Sequence, residues 1–235
     1  MDPVVPKGRM RATVVVFPGI NADAEMIRTL RDVCGVATTV VRHTEHELPA
    51  GTDLVAIPGG FSYGDYLRCG AIAKVAPIVQ AIVKHAERGG YVLGVCNGFQ
   101  ILTEVGLLPG ALTRNVNMRF ECSDAHVVVA GTGPFTKQPG EVWKLPIAHG
   151  EGRWQAAPDV LARVEGDGLV ALRYCDVTGG VTDAANPNGS QNNIAGIYAG
   201  PRKNVFGLMP HPERMSDPLL GGTDGRRLFD AVAAH

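Results

Sequence analysis

Short, continuous apolar runs alternate with stretches in which apolar residues recur every three or four positions. Residues 13–17, 38–41, 54–57 and 91–95 are runs of the first kind. Their unbroken hydrophobicity, rich in β-branched residues, predicts strands buried on both faces. Met26, Ile27, Leu30, Val33 and Cys34 share one helical face, and Gly35 supplies a stop. Asn21 is placed to cap that helix, with Asp23 in its first turn. Val75, Ile78, Val79, Ile82, Val83 and Ala86 make a second stripe, closed by Gly89-Gly90. Strand and helix in alternation predict an α/β fold: a doubly wound, mostly parallel sheet flanked by helices. The second half is richer in β structure, with strands expected at 126–130, 169–174, 194–198 and 205–209, a turn-rich stretch at 178–190 and a closing helix at 225–234. No disordered linker or internal repeat divides the chain, so residues 1–235 read as a single domain, with 1–10 as a loosely held arm.

Composition narrows the class. With 45% hydrophobic residues the chain can fill a core. A net charge of −1 argues against nucleic acid, and no basic run suggests a membrane surface. No secretory leader is recognisable, and no apolar run approaches a membrane span. The five cysteines, an odd number without a C-x-x-C, fit a reducing compartment, so the expected location is cytoplasmic. Asn188-Gly-Ser190 reads as turn chemistry rather than a glycosylation site.

The densest chemical signal is Gly94-Val-Cys96-Asn-Gly98, between a predicted strand and a predicted helix at Asn97–Val105. Glycines on either side of a nucleophile permit the sharp turn that lifts its side chain above the carboxyl edge of a sheet. A helix N-terminus favours a thiolate there, and the Asn97 N–H is left free for an oxyanion. A buried, inert cysteine is the competing reading of this motif alone, and the better one for Cys34, Cys69, Cys122 and Cys175.

A cysteine nucleophile needs a base, and the base needs an orienting acid. His211-Pro-Glu213 follows the predicted strand at 205–209; in an extended segment the two side chains would point the same way. The order nucleophile, His, acid differs from that of the α/β-hydrolases. His43-x-x-His46 lacks further ligands, so no metal is expected. His149, in the Gly-rich stretch 146–152, either lines the site or is polar surface. Gly59-Gly60-Phe61-Ser-Tyr-Gly64 has no phosphate-binding lysine, and no nucleotide loop occurs elsewhere.

With these residues in view, the chain resembles the small glutaminase subunits of phosphoribosylformylglycinamidine synthases, among the triad-type (class I) glutamine amidotransferases. The resemblance runs from about Val14 to the C-terminus. It is carried by GFSYGDYLR at 60–68, GVCNGFQ at 94–100, PIAHGEG at 146–152, NPNGS at 186–190 with NIAGI at 193–197, and MPHPER at 209–214. It implies a flavodoxin-like fold, with Cys96 as nucleophile and His211 and Glu213 as its triad partners. It further implies backbone oxyanion donors at Gly60, Phe61 and Asn97, and substrate contacts at Gln100, Arg119, Phe120 and His149. No cofactor is expected on this chain; ATP and Mg would be used by a synthetase subunit, joined by a small accessory subunit, to convert formylglycinamide ribonucleotide. Ile20 and Ala22 depart from the Ser-Asn-Cys-Asp usual after the first glycine, and the arm before Arg11 is longer than in relatives. A glutaminase for another synthetase and a cysteine hydrolase of related fold are the alternatives.

Overall fold

The computed structural model describes residues 10–235. The arm expected over 1–10 falls outside them, except for Met10, which is buried in the core. In chain order the elements are β1 (Arg11–Val16), α1 (Asp23–Arg28), β2 (Ala37–Arg42), β3 (Leu54–Ile57), α2 (Ile78–Glu87), β4 (Tyr91–Val95), α3 (Asn97–Val105) and β5 (Ala111–Thr113). There follow β6 (Glu121–Val129), β7 (Val142–His149), β8 (Arg153–Gln155), α4 (Pro158–Gly166), β9 (Val170–Cys175), β10 (Ile194–Ala199), β11 (Val205–Leu208) and α5 (Arg226–Ala233).

One mixed sheet has the order β2-β1-β3-β4-β11-β10-β9-β6-β7. The first five strands are mutually parallel, and the last four add antiparallel pairings. The parallel strands β3, β4 and β11 are buried along almost their whole length, as continuous apolar runs require. Helices flank this sheet, α3 packing across β3, β4 and β11. β5 and β8 form a separate small ribbon.

Two local expectations change. Asn21 does not cap α1: the N-cap is Ala22, without a side-chain bond. Instead the N–H groups of Asn21 and Ala22 both donate to the Gly59 carbonyl, at 3.2 and 3.1 Å, binding the loop after β1 to the loop after β3. His149 is not in a loop but ends β7, whose Trp143, Leu145, Ile147 and His149 alternate inward. Pro146 sits within that strand because β7 pairs with β6 alone. At the outer edge of a sheet a missing N–H breaks no ladder, and the Pro146 carbonyl accepts the His211 N–H at 2.8 Å. The sheet therefore curls until its last strand meets the segment that follows its middle strand.

Candidate active site

Cys96 stands between β4 and α3 with φ 51° and ψ −105°. A positive φ of this kind costs a non-glycine residue about 1–3 kcal/mol. Its surroundings hold it there. The Cys96 N–H donates to the Leu208 carbonyl at 2.8 Å, and its carbonyl accepts the Gln100 N–H at 3.1 Å. The flanking glycines are required by close approach: a Cβ on Gly94 would lie 2.6 Å from the Gly98 carbonyl oxygen, and one on Gly98 would collide with the carbonyl of Ile57. The result is a buried thiol whose Sγ donates to the Ala148 carbonyl at 3.6 Å.

His211 and Glu213 reach the same point from the end of β11, but not along an extended segment. Pro212 opens a 3₁₀ turn over Pro212–Met215, because its fixed φ suits the first position of a helical turn. Within that turn the Glu213 carboxylate accepts from His211 Nδ1 at 2.6 Å, with both side chains buried. Thr29 and Ser216 hydroxyls donate to the Glu213 carbonyl at 3.2 and 3.1 Å and hold the turn in place. Burial alone would lower the His211 pKa; the charges of Glu213 and Cys96 outweigh it and raise the value to about 10. With Nδ1 bound to the carboxylate, Nε2 is the ring nitrogen left for chemistry, and it has no partner among the described residues. The imidazole is packed against Gly59, where a Cβ would lie 2.6 Å from His211 Cε1 and 3.3 Å from Cys96 Cβ.

Two adjoining cavities open on Cys96, of about 150 and 190 Å³, sharing Gly60, Phe61, Phe120 and Ala148. The first also touches His211, Asn21 and Arg214; the second reaches Gln100, His149, Asp65 and Glu151. A larger groove of about 440 Å³ lies between residues 46–52 and α2, away from Cys96, and holds no cysteine. The functional argument stays with the smaller pair.

Of the expected oxyanion donors, Gly60 and Asn97 have N–H groups available. Gly60 faces Ile20 in a bridge whose hydrogen bonds belong to the neighbouring residues, and Asn97 is in the first helical turn. Phe61 is a correction: its single N–H already donates to the Gly19 carbonyl at 2.9 Å, so it has nothing left for an oxyanion in this loop conformation. Gln100 is held at both ends of its amide, accepting from Asn97 Nδ2 at 2.8 Å and donating to the Glu151 carbonyl at 2.7 Å. Phe120 edges both cavities and packs against Phe61, with ring centroids 6.3 Å apart. The Arg119 side chain is exposed and lines neither cavity; its backbone is what is used, the carbonyl accepting Asn115 Nδ2 at 2.8 Å and the N–H donating to Asn117 Oδ1 at 3.0 Å.

Sequence reasoning missed the amides that build the walls. Asn97 accepts the Ser62 N–H at 3.0 Å and donates to Asp65 at 3.3 Å, so one buried side chain ties the 60–65 loop to α3. Asn115 bonds the carbonyls of Arg119 and His149 and the N–H of Gly152. Asn188, within the NPNGS stretch, donates to the Gly152 carbonyl at 2.9 Å and lies 3.5 Å from His149 Nε2. Burial is the main reason the His149 pKa falls, to about 4, so its ring is neutral at neutral pH. The remaining thiols differ in setting. Burial raises Cys34 to about 12 and Cys175 to about 11, and raises Cys69 further with help from Asp65 and Glu151. His43, from the spaced histidine pair, is bonded to Tyr63 Oη at 2.8 Å, and among the described residues no group of acidic, His or Cys side chains is arranged for a metal ion.

A nucleophile at a strained elbow, a carboxylate-bound imidazole and free backbone donors make an acyl-transfer site, and proteins of known name share this whole length of chain. Residues 9–221 match the CobB/CobQ-like glutamine amidotransferase domain. The chain is 52% identical over 229 residues to the phosphoribosylformylglycinamidine synthase subunit PurQ of Bradyrhizobium diazoefficiens, covering 96% of this chain and 98% of that one. It is 52% identical over 228 residues to the protein of the same name from Gloeobacter violaceus, covering 96% and 97%. Among solved structures it superposes on a chain of PurLQS from Thermotoga maritima with a TM-score of 0.84 and 42% identity, covering 97% of this chain and 99% of that one. A putative GMP synthase component from Thermoplasma acidophilum, at TM-score 0.64 and 19% identity, covering 97% and 96%, shares the fold. The chain belongs to the CobB/CobQ-like glutamine amidotransferase family, and within it to the PurQ subunits of phosphoribosylformylglycinamidine synthase.

Proposed function

We propose that this chain is the glutaminase of a phosphoribosylformylglycinamidine synthase, releasing ammonia from glutamine at Cys96 for use on a synthetase subunit. The observation that carries the mechanism is the buried 2.6 Å bond from His211 to Glu213 beside the Cys96 elbow. Cys96 gives its thiol proton to His211 Nε2, the thiolate attacks the side-chain amide carbon of glutamine, and the negative oxygen that forms is met by the N–H groups of Gly60 and Asn97. Such a preorganised donor is worth roughly 3–4 kcal/mol. Protonated His211 gives its Nε2 proton to the amide nitrogen, the C–N bond breaks, ammonia departs, and a thioester remains on Cys96. Acylation removes the Cys96 charge, one of the influences that raise the His211 pKa. The deprotonated imidazole thus becomes easier to maintain when a base is needed. His211 then takes a proton from water, the hydroxide adds to the thioester, the C–S bond breaks, and glutamate leaves.

Ammonia must reach its acceptor unprotonated, so a synthetase has to seat directly on this site. Phe61 and Phe120, exposed apolar side chains that line both cavities, support docking there. The synthetase would bind formylglycinamide ribonucleotide, ATP and Mg, with a small accessory subunit completing the complex. The work is assigned to the cytoplasm, a setting that suits five cysteines without a disulfide pattern. Among the described residues no helix is long and apolar enough to cross a membrane.

The test is product formation by the chain combined with synthetase and accessory subunits, with glutamine or ammonium as nitrogen source. Wild type should use both, and Cys96→Ala should use ammonium alone. Ammonium-dependent product without any glutamine-dependent product from wild type would remove the purine assignment.

A further inference from the structure

Helix α1 does not stop where its α-helical bonding stops. It runs on into a π-helical turn over Thr29–Val33, where the Cys34 N–H reaches back to the Thr29 carbonyl at 2.9 Å. Single π turns are rare in helices and frequent at functional sites. Met26, Thr29 and Leu30 form the buried face of this helix. Thr29 is fully buried between two apolar neighbours, where valine would fill the same space without a hydroxyl to satisfy. The hydroxyl needs a partner, and it finds one in the turn that carries Glu213.

Thr29 Oγ1 lies 3.2 Å from the Glu213 carbonyl oxygen and 2.8 Å from Ser216 Oγ, and Ser216 Oγ lies 3.1 Å from the same carbonyl. The two hydroxyls do different things. Ser216 directly follows the 3₁₀ turn Pro212–Met215, so its bond moves with the turn. Thr29 stands 184 residues away in the chain and fixes the turn to another element. Arg28 with Asp217 and Glu25 with Arg214 also join α1 to this segment, but these ion pairs are partly exposed and hold position weakly.

Backbone support matters because the carboxylate has little of its own. Its Oε1 accepts from His211 Nδ1, and its Oε2 has no partner among the described residues. The place of the carboxylate is therefore decided by the place of the Glu213 main chain. The other end of α1 meets the oxyanion loop, where the N–H groups of Asn21 and Ala22 hold the Gly59 carbonyl beside Gly60. From Asp23 to Thr29 the helix rises about 9 Å, so one rigid element joins the donor side of the site to the acid side.

From this we infer that Thr29 is a positioning residue for glutamine hydrolysis, acting through the Glu213 carbonyl to hold the acid against His211. The inference rests on the reading of Cys96, His211 and Glu213 as a glutaminase triad and adds the support that keeps the acid in register with Gly60.

The experiment uses the chain in complex with its synthetase subunits and follows ammonia release from L-glutamine. Thr29→Val removes the hydroxyl and keeps the shape. Thr29→Ala removes it while asking for no room, in case valine is not accommodated, and Thr29→Ser keeps it. In the valine and alanine variants kcat should fall about tenfold at an unchanged KM, because a displaced acid misaligns the imidazole and leaves glutamine binding alone. Thr29→Ser should keep the wild-type kcat. In a Glu213→Gln background the loss of the Thr29 hydroxyl should cost little further, since residues that act as one unit are not additive. General damage to the fold lowers Tm and cuts activity alike in both backgrounds. An unchanged kcat in the hydroxyl-free variants, or an equal fall in both backgrounds, overturns the positioning role and leaves the glutaminase standing. Absence of glutamine hydrolysis by wild type overturns both.

Discussion

His149 offers a measurement of burial that does not depend on catalysis. Its folded pKa of about 4 compares with 6.5 for an ordinary imidazole, and burial is the main cause. Between those two values the unfolded chain binds a proton that the folded chain refuses, so stability falls as pH drops through this window and is fully present above 6.5. At pH 5 the folded ring is still mostly neutral and the unfolded one mostly charged. The loss relative to neutral pH from this group is therefore about 2 kcal/mol. His149→Gln keeps a neutral acceptor opposite Asn188 Nδ2 and cannot ionise. Urea unfolding of both chains at pH 7.5 and pH 5 should show wild type losing about 2 kcal/mol more than the variant on acidification. His85, whose pKa is also lowered chiefly by burial, acts in the same direction but is present in both chains and cancels. Equal losses in the two chains would refute the argument, since they would mean that the folded protein accommodates a charged His149.

Two further outcomes concern the Cys96 neighbourhood. Glu213→Gln should lower kcat for glutamine by roughly 10³- to 10⁴-fold. Because the raised His211 pKa stabilises the fold below about pH 6.5 and that contribution fades towards pH 10, the variant should also show a flatter stability profile across this range by thermal melting; a wild-type profile would deny the pair its role. Gly59→Ala places a methyl group 2.6 Å from His211 Cε1 on a backbone that alanine tolerates, so kcat should fall about 100-fold with little loss of Tm; unaltered turnover would show that the imidazole has room to move.

The parallel half of the sheet was legible because its signal is simple. Continuous apolar runs marked β3 and β4 with their observed limits, and the Gly-x-Cys-x-Gly spacing located the elbow at Cys96. The antiparallel half was harder. β7 alternates instead of running continuously, and Pro146 in its middle argues against a strand unless its edge position is known, which is a fact of topology rather than of local sequence. α4 was missed because its apolar stripe is short, Val160, Leu161 and Val164, of which only Val164 is fully buried. In the site, the side chains of Cys96, His211 and Glu213 meet as their residue types suggested, yet through a 3₁₀ turn that Pro212 starts. The Phe61 N–H is taken by Gly19, a residue far earlier in the chain, which no spacing rule anticipates. The buried amides of Asn97, Asn115 and Asn188 act across the fold, so their partners emerge only once the loops are folded together.

The curl that brings β7 against the segment after β11 has a consequence for the molecule in a crowded solution. A terminal strand normally presents a row of unpaired backbone groups on which another chain can build. Here part of that row is occupied from within. The Pro146 carbonyl receives the His211 N–H, the Ala148 carbonyl receives the Cys96 thiol, and the Glu151 carbonyl just beyond receives Gln100. Of the residues that close this edge, Cys96, His211, Ala148 and Gln100 also line the cavities, so the covering of β7 and the shape of the site rest on shared contacts.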